Sequence, residues 1–171
     1  MFRRSSTSIR AGLVGLIALA TACTPTLDLP DGANGEVVGH VDGDTLDIAF
    51  SVEGRAVVER VRLIGIDTPE TKKPNTPIEC FGPEASARLA ELLPVGAFVV
   101  ADRDIEARDD FGRLLAYVRR ANDDVLVNEV LVREGFARTL FFAPNLALES
   151  TLRAAERSAR ADRRGLWSAC L

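Results

Sequence analysis

The sequence contains few of the residues on which common catalytic and metal centres depend. Its 171 residues include one histidine and three cysteines. These counts exclude centres built from several histidines and zinc sites built from four cysteines. Any Ser-His-Asp triad would have to use His40. Because His40 stands alone beside a run of extended sequence, we expect it to be a structural strand residue.

Positive charge is also scarce. The chain has 21 basic and 25 acidic residues, a formal charge of −4, and its only lysines are Lys72 and Lys73. No basic field spread over the surface would attract nucleic acid or an anionic membrane. A phosphate-binding function would therefore need a few cations placed at one site.

The single long apolar run lies near the N-terminus, at residues 11–20, after three arginines and before the segment Ala20-Thr-Ala-Cys23. This order of charged, apolar and small residues is typical of an export signal. The run is shorter than the roughly 20 residues that span a bilayer as a helix. We expect residues 1–22 to be a signal peptide. Secretion and a membrane lipid anchor on Cys23 both remain open, because the cleavage site suits either.

The segment 23–35 is rich in Pro, Gly, Asn and Asp, as flexible linkers are, and one folded domain is expected over 36–171. Loss of the signal would remove three basic residues and no acidic ones, which leaves 18 basic residues and a formal charge of −7. In an oxidising compartment the remaining cysteines, Cys80 and Cys170, are expected to form a disulfide. Two free thiols are the alternative, since the sequence cannot show that the Cα atoms lie within about 7 Å.

Hydrophobic patterning predicts strands first and helices later. Val, Ile and Leu dominate residues 36–41, 45–52 and 56–66, which predicts an antiparallel meander of three strands. Two further strands are predicted at 97–101 and 113–120. Helices are predicted at 82–93, 128–134 and 146–164. The expected fold is mainly β with α (α+β): a five-stranded barrel of the oligonucleotide-binding (OB) type with three packed helices.

Two short motifs concentrate the chemistry: Val41-Asp-Gly-Asp-Thr45 and Arg62-Leu-Ile-Gly-Ile-Asp-Thr-Pro-Glu-Thr71. Asp44, Asp67 and the carbonyl of Thr68 are oxygen donors of the kind that calcium prefers. A site with few carboxylates and several waters stays open to substrate, as metal-assisted hydrolysis requires.

The same motifs supply groups that can act on a phosphodiester. Glu70 can face a metal-bound water, and Arg62 and Arg113 can each donate two N–H groups to a phosphate. Strict alternation along one strand would place Arg62 and Asp67 on opposite faces. We therefore expect a bulge or bend at Gly65 to bring them together.

Together with Phe81–Ser86, Asp109–Tyr117 and Val127–Gly135, these motifs closely resemble the staphylococcal-nuclease-like (thermonuclease) family. The resemblance covers about residues 36–168, in order and with compatible spacing. It implies an OB-type barrel with three helices and a calcium-dependent endonuclease. It also implies cleavage of DNA and RNA that leaves 3′-phosphate ends.

By that resemblance the calcium ligands are Asp44, Asp67 and the carbonyl of Thr68, with Asp42 as a carboxylate near the metal. The catalytic residues implied are Arg62, Glu70 and Arg113, in which Glu70 is the general base or positions the water.

Substrate contacts are expected from Lys72, Phe111 and Phe142. The chain departs from the family here, because Asp110 and Phe111 replace a frequent Lys-Tyr pair. The tyrosine hydroxyls common near Leu140 and Phe142 are also absent. These departures concern recognition of a terminal phosphate and leave the catalytic residues untouched.

The sequence thus predicts an exported, monomeric, calcium-dependent nuclease acting on DNA and RNA, with single strands preferred. The alternative is a non-catalytic nucleic-acid-binding or interaction module of the same fold on the cell envelope. A third reading is an envelope lipoprotein that binds peptide or glycan. Retention of Arg62, Glu70 and Arg113 favours the enzyme.

Overall fold

The computed structural model describes residues 29, 31–72 and 77–170. The predicted signal peptide and Cys23 lie outside these residues. Over the described ranges, no helix combines the length and the apolar character needed to cross a membrane.

The described residues form seven strands. They are β1 (Ala33–His40), β2 (Thr45–Val52), β3 (Arg55–Leu63), β4 (Ile66–Asp67), β5 (Phe98–Asp102), β6 (Leu114–Arg120) and β7 (Arg138–Thr139). Five of these strands close into a barrel in the order β1-β2-β3-β6-β5. The first three form the expected antiparallel meander, and β5 pairs antiparallel with both β1 and β6. The barrel closes through a parallel pair of β3 and β6. The predicted five-stranded barrel is confirmed.

Alternation along the strands fills the barrel interior. On β2, Leu46, Ile48 and Phe50 are almost completely buried, whereas the residues between them are partly exposed. This is the pattern of a strand with one face on the core. The first strand begins at Ala33, three residues before its predicted start at residue 36.

Helices pack around the barrel: α1 (Gly82–Leu92), α2 (Val127–Arg133), α3 (Glu149–Ala161) and α4 (Leu166–Ala169). Three were predicted, and the fourth is a single turn after Gly165. One face of α3 packs inward, with Leu152, Ala155 and Ala159 buried. This helix is three residues shorter than predicted at each end, because residues 146–148 precede it and residues 162–164 follow it.

The expected bend at Gly65 is present. Strand β3 ends at Leu63, and a turn through Ile64 and Gly65, where Gly65 has a φ of 77°, leads into β4. Strand β4 pairs with β7 in a separate two-stranded sheet. Arg62 and Asp67 therefore belong to different sheets, and alternation along a single strand does not separate them.

A buried amide holds this turn against the barrel. The side chain of Asn128, on α2, is fully buried. Its Oδ1 accepts a hydrogen bond from the N–H of Val118 at 2.9 Å, and its Nδ2 donates to the carbonyl of Ile64 at 2.9 Å. Asn128 thus links β6 to the turn that precedes Asp67.

The two cysteines of the folded region form the expected disulfide. Cys80 and Cys170 are 90 residues apart in sequence, and their Cα atoms lie 5.8 Å apart. The bridge joins the segment before α1 to the end of α4. His40 is a strand residue, as expected, and its Nε2 lies 2.7 Å from the carbonyl oxygen of Leu93.

Candidate active site

Asp44 lies directly before β2 and is only 5% exposed. Its Oδ2 accepts hydrogen bonds from the backbone N–H of Thr68 at 2.9 Å and from the Thr68 hydroxyl at 3.2 Å. Its Oδ1 accepts a hydrogen bond from the Thr45 hydroxyl at 3.0 Å. These contacts bring the two sequence motifs together, because Thr68 belongs to the second and Asp44 to the first.

The approach of the two motifs depends on Gly43. A Cβ atom at this position would lie 2.7 Å from Oγ1 and 2.9 Å from Cβ of Thr68. Contacts this short would force the loops apart. The glycine of the Asp-Gly-Asp segment therefore permits the close packing that positions Asp44.

Arg62 occupies the space between the proposed ligand carboxylates and is 14% exposed at its side chain. Its Nε lies 3.2 Å from Oδ1 of Asp44, and its Nη2 donates to Oδ1 of Asp67 at 3.2 Å. Its Nη1 donates to the carbonyls of Leu63 and Ile66 at 2.7 and 2.8 Å. One guanidinium thus connects β3, the turn and β4.

The carboxylates here favour a nearby cation. Burial, followed by the charge of Asp44, raises the pKa of the Asp42 carboxyl. Burial also raises the pKa of Asp67; Arg62 opposes that shift, and the charges of Glu79 and Glu70 add to it. Burial is the main cause in both cases, and a nearby cation would oppose the shift because it favours the charged carboxylate.

The donor set suits a hard, water-rich ion. Asp44 and Asp67 both contact the guanidinium of Arg62, and the N–H and hydroxyl of Thr68 donate to Asp44. In the part of the chain that the structure describes, no group of three or more His, Cys, Asp and Glu side chains is arranged around a metal position. Carboxylate oxygens are donors that a hard cation such as calcium accepts, and water would have to complete its coordination here.

Glu70 lies after β4, and backbone groups orient its carboxylate. Its Oε1 accepts hydrogen bonds from the N–H groups of Thr71 at 2.8 Å and Lys72 at 2.7 Å. The N–H of Glu70 in turn donates to Oε2 of Glu79 at 3.2 Å, and the N–H of Glu79 donates to the carbonyl of Glu70 at 2.9 Å. Glu79 was not predicted, since only the folded loop places it beside Glu70.

Arg113 directly precedes β6 and is oriented by Asp109. Its Nε donates to Oδ2 of Asp109 at 2.6 Å, and its backbone N–H donates to Oδ1 at 2.9 Å. The guanidinium carbon lies 5.4 Å from the ring centre of Phe111. Among the described residues nothing accepts a hydrogen bond from Nη1 or Nη2, so the terminal nitrogens remain available for a ligand. The position of Asp109 four residues before Arg113 was the available sequence signal for this pair.

A cavity of about 410 Å³ contains both arginines in its lining. Its apolar walls include Leu63, Ile66 and Leu115, and Phe111 and Phe142 stand at its edge, 84% and 71% exposed. The structure thus brings together Arg62, Arg113 and two of the three predicted substrate contacts. Lys72 is exposed and does not line this cavity; its backbone N–H contacts Glu70.

Helix α3 supports the site through a buried carboxylate. Glu156 on α3 is buried and accepts hydrogen bonds from the Thr139 hydroxyl at 2.7 Å and from Arg160 at 3.2 Å. Burial raises the pKa of Glu156, but the hydrogen bonds from Thr139 and Arg160 outweigh burial and lower it overall. The partner of Glu156, Thr139, lies on β7, a separate element that is distant in sequence.

Comparison with known proteins points to the same family that the sequence motifs resemble. The family model described as staphylococcal nuclease homologue matches residues 60–169. The chain is 36% identical over 133 residues to a thermonuclease of Staphylococcus hyicus, covering 78% of this chain and 75% of that protein. It is 39% identical over 127 residues to a thermonuclease of Staphylococcus intermedius, covering 74% of this chain and 71% of that protein.

An endonuclease of Bacillus subtilis, YncB, is 37% identical over 129 residues. The match covers 75% of this chain but only 58% of that relative. The residues that the family model matches include the segment from Arg62 to Arg113, which contains most of the site described above. With its barrel, its paired motifs and these similarities, the chain belongs to the staphylococcal nuclease homologue family.

Proposed function

We propose that this protein is an exported, calcium-dependent nuclease that hydrolyses phosphodiester bonds of DNA and RNA and leaves 3′-phosphate ends. The observation that carries the proposal is one juxtaposition. Arg62 and Arg113 line a single cavity, and Arg62 also contacts both Asp44 and Asp67. Thermonucleases and an endonuclease among the relatives support the same reaction class.

The arginines bind and stabilise the reacting phosphate. Arg113 offers the two terminal nitrogens that Asp109 leaves unengaged, a fork that matches two phosphate oxygens. Arg62 approaches the same cavity from β3. Negative charge grows on the equatorial oxygens as water attacks, and fixed guanidinium groups stabilise it without reorganisation.

Glu70 orients the attacking water and accepts its proton. The two backbone N–H groups on Oε1 hold the carboxylate in one orientation, as a positioned base requires. The oxygen of the water forms a bond to phosphorus while the bond to the 5′-oxygen breaks. The 5′-oxygen takes a proton from solvent, and the phosphate stays on the 3′ side.

Asp44, Asp67 and the carbonyl of Thr68 would hold the calcium ion, with Asp42 close by. Bound there, calcium supplies Lewis-acid polarisation of a phosphoryl oxygen. Among these residues the rigid member is Asp44, which Thr68 and Thr45 fix by hydrogen bonds. Asp67, with a side chain that is 53% exposed, is free to adjust its carboxylate.

The apolar cavity would accept a base, with Phe111 and Phe142 as stacking surfaces. Unpaired bases can enter such a cavity, which favours single-stranded substrates, and Lys72 would contact the backbone from outside. Binding should depend little on ionic strength, because the protein without its signal would have a formal charge of −7.

The decisive experiment incubates the purified protein with single-stranded DNA and RNA, in calcium or in chelator, and maps the product ends. We expect cleavage in calcium only, with 3′-phosphate ends. Glu70→Gln should lose most of the activity and keep the fold. Glu84→Gln, a change of the same type at an exposed position of α1, is the matched control.

Equal degradation in chelator would exclude the calcium mechanism. Binding of single strands without cleavage would favour the non-catalytic module of the same fold. Export is tested separately, by fractionating the producing cells, and mass spectrometry of Cys23 distinguishes a lipid-anchored from a freely secreted form.

A further inference from the structure

The loop that carries Glu70 rests on the segment that contains the disulfide. Glu79 exchanges two hydrogen bonds with Glu70, through its side chain and through its backbone N–H. Cys80 is the next residue. We call the segment Glu79–Gly82 the support segment, because the backbone of Glu70 packs against it.

Gly82, the first residue of α1, brings this support segment into direct contact with the loop that carries Glu70. A Cβ atom there would lie 3.0 Å from the carbonyl oxygen of Pro69 and 3.2 Å from that of Glu70. Contacts of this kind transmit small displacements, since neither backbone can yield independently.

Two connections fix the support segment to the end of α2. The first is covalent: Cys80 is bonded to Cys170, at the end of α4, and the first residue of α4, Leu166, donates its N–H to the carbonyl of Gly135 at 2.9 Å. The second is a stack of Phe81 on Phe136, with ring centres 5.3 Å apart. Both connections reach the Gly135–Phe136 step that follows α2.

We propose that the Cys80–Cys170 disulfide is a positioning device for Glu70, and that nuclease activity depends on the oxidised bridge. The proposal rests on the function proposed above. A reductant of the dithiol class gives two electrons and two protons to the bridge, yields two thiols and becomes a disulfide itself. Cys80 is exposed, so such a reductant can reach it. Because the stack of Phe81 on Phe136 remains after reduction, the loss of activity should be partial.

The test compares the oxidised protein, the dithiothreitol-reduced protein and the Cys80→Ser/Cys170→Ser double variant, each at a temperature at which circular dichroism shows it folded. Misplacing a catalytic group by about 1 Å costs up to about a hundredfold, and we expect kcat to fall by about tenfold with little change in KM. Reoxidation should restore the reduced protein. The double variant should have the low kcat already and should not respond to dithiothreitol.

Glu79 provides a test that leaves the bridge intact. Glu79→Gln keeps an oxygen that can accept from the N–H of Glu70 and should retain kcat, whereas Glu79→Ala should lose it in part. Combining Phe136→Ala with reduction should lower kcat further than either change alone, because both connections are then cut.

Hydrogen exchange gives a readout that needs no activity. The amides of Thr71 and Lys72 donate to Glu70 and should exchange faster after reduction, whereas the amide of Val118, held by Asn128 in the barrel, should not. A folded, reduced protein with unchanged kcat and unchanged exchange at Thr71 and Lys72 would overturn the proposal. If no form cleaves nucleic acid, the proposed function fails, and the exchange measurement still decides whether the bridge positions Glu70.

Discussion

Replacing Asn128 with alanine should destabilise the protein strongly, because both polar groups that it serves are buried. The substitution leaves the N–H of Val118 and the carbonyl of Ile64 without their partner in the core. Each orphaned group costs about 1–3 kcal/mol, and we expect a total loss of about 3 kcal/mol in the free energy of unfolding. For a domain of this size the midpoint of thermal unfolding should fall by roughly 6–12 °C.

The matched control is Asn145→Ala. Asn145 is also buried, but both of its hydrogen bonds go to the backbone of Glu106, which is exposed and can be rehydrated. Its loss should cost about 1 kcal/mol. Urea unfolding followed by circular dichroism measures both variants. Equal losses in the two would refute the argument from burial.

Asn128→Asp provides a second check. A carboxylate cannot donate to the Ile64 carbonyl, whereas a protonated acid can. Burial and the missing donor should raise the folded-state pKa of the new carboxyl. The variant should therefore be least stable at neutral pH, and its deficit should shrink as the pH falls towards about 4, the ordinary value for aspartate.

Two further predictions concern the site and its support. Gly43→Ala should raise the calcium concentration needed for half-maximal cleavage and lower kcat by about tenfold, because the new Cβ forces Thr68 away from Asp44. In Gly39→Ala the Cβ meets only ordinary contacts, and a similar loss there would contradict this reasoning. Glu156→Gln should destabilise the protein at pH 7 by about 1 kcal/mol, since the folded state lowers the pKa of Glu156. That stabilisation is present above the ordinary glutamate pKa and is lost as the pH falls through the folded-state value, so the two proteins should converge in acid unfolding curves.

The sequence was sufficient to predict the barrel strands, because they depend on local patterns. Alternating apolar residues marked β2, and the two carboxylate motifs marked the loops. It could not predict the neighbours supplied by distant segments. Asn128 reaches Ile64 across 64 positions, and Glu156 reaches Thr139 on another element. The guanidinium of Arg62 was predicted to bind phosphate. Its contacts with both Asp44 and Asp67 were not predicted, and they depend on the bend at Gly65.

The parallel pair of β3 and β6 also determines when the site can form. Val61 pairs with Leu114, and β4, α1 and β5 all lie between these residues in sequence. Contacts between such distant segments form slowly, after the intervening chain is available. A chain that emerges N-terminus first therefore contains Asp44, Arg62 and Glu70 well before the strand that completes their barrel. Fragments left by interrupted synthesis would carry most of the motif without the assembled site.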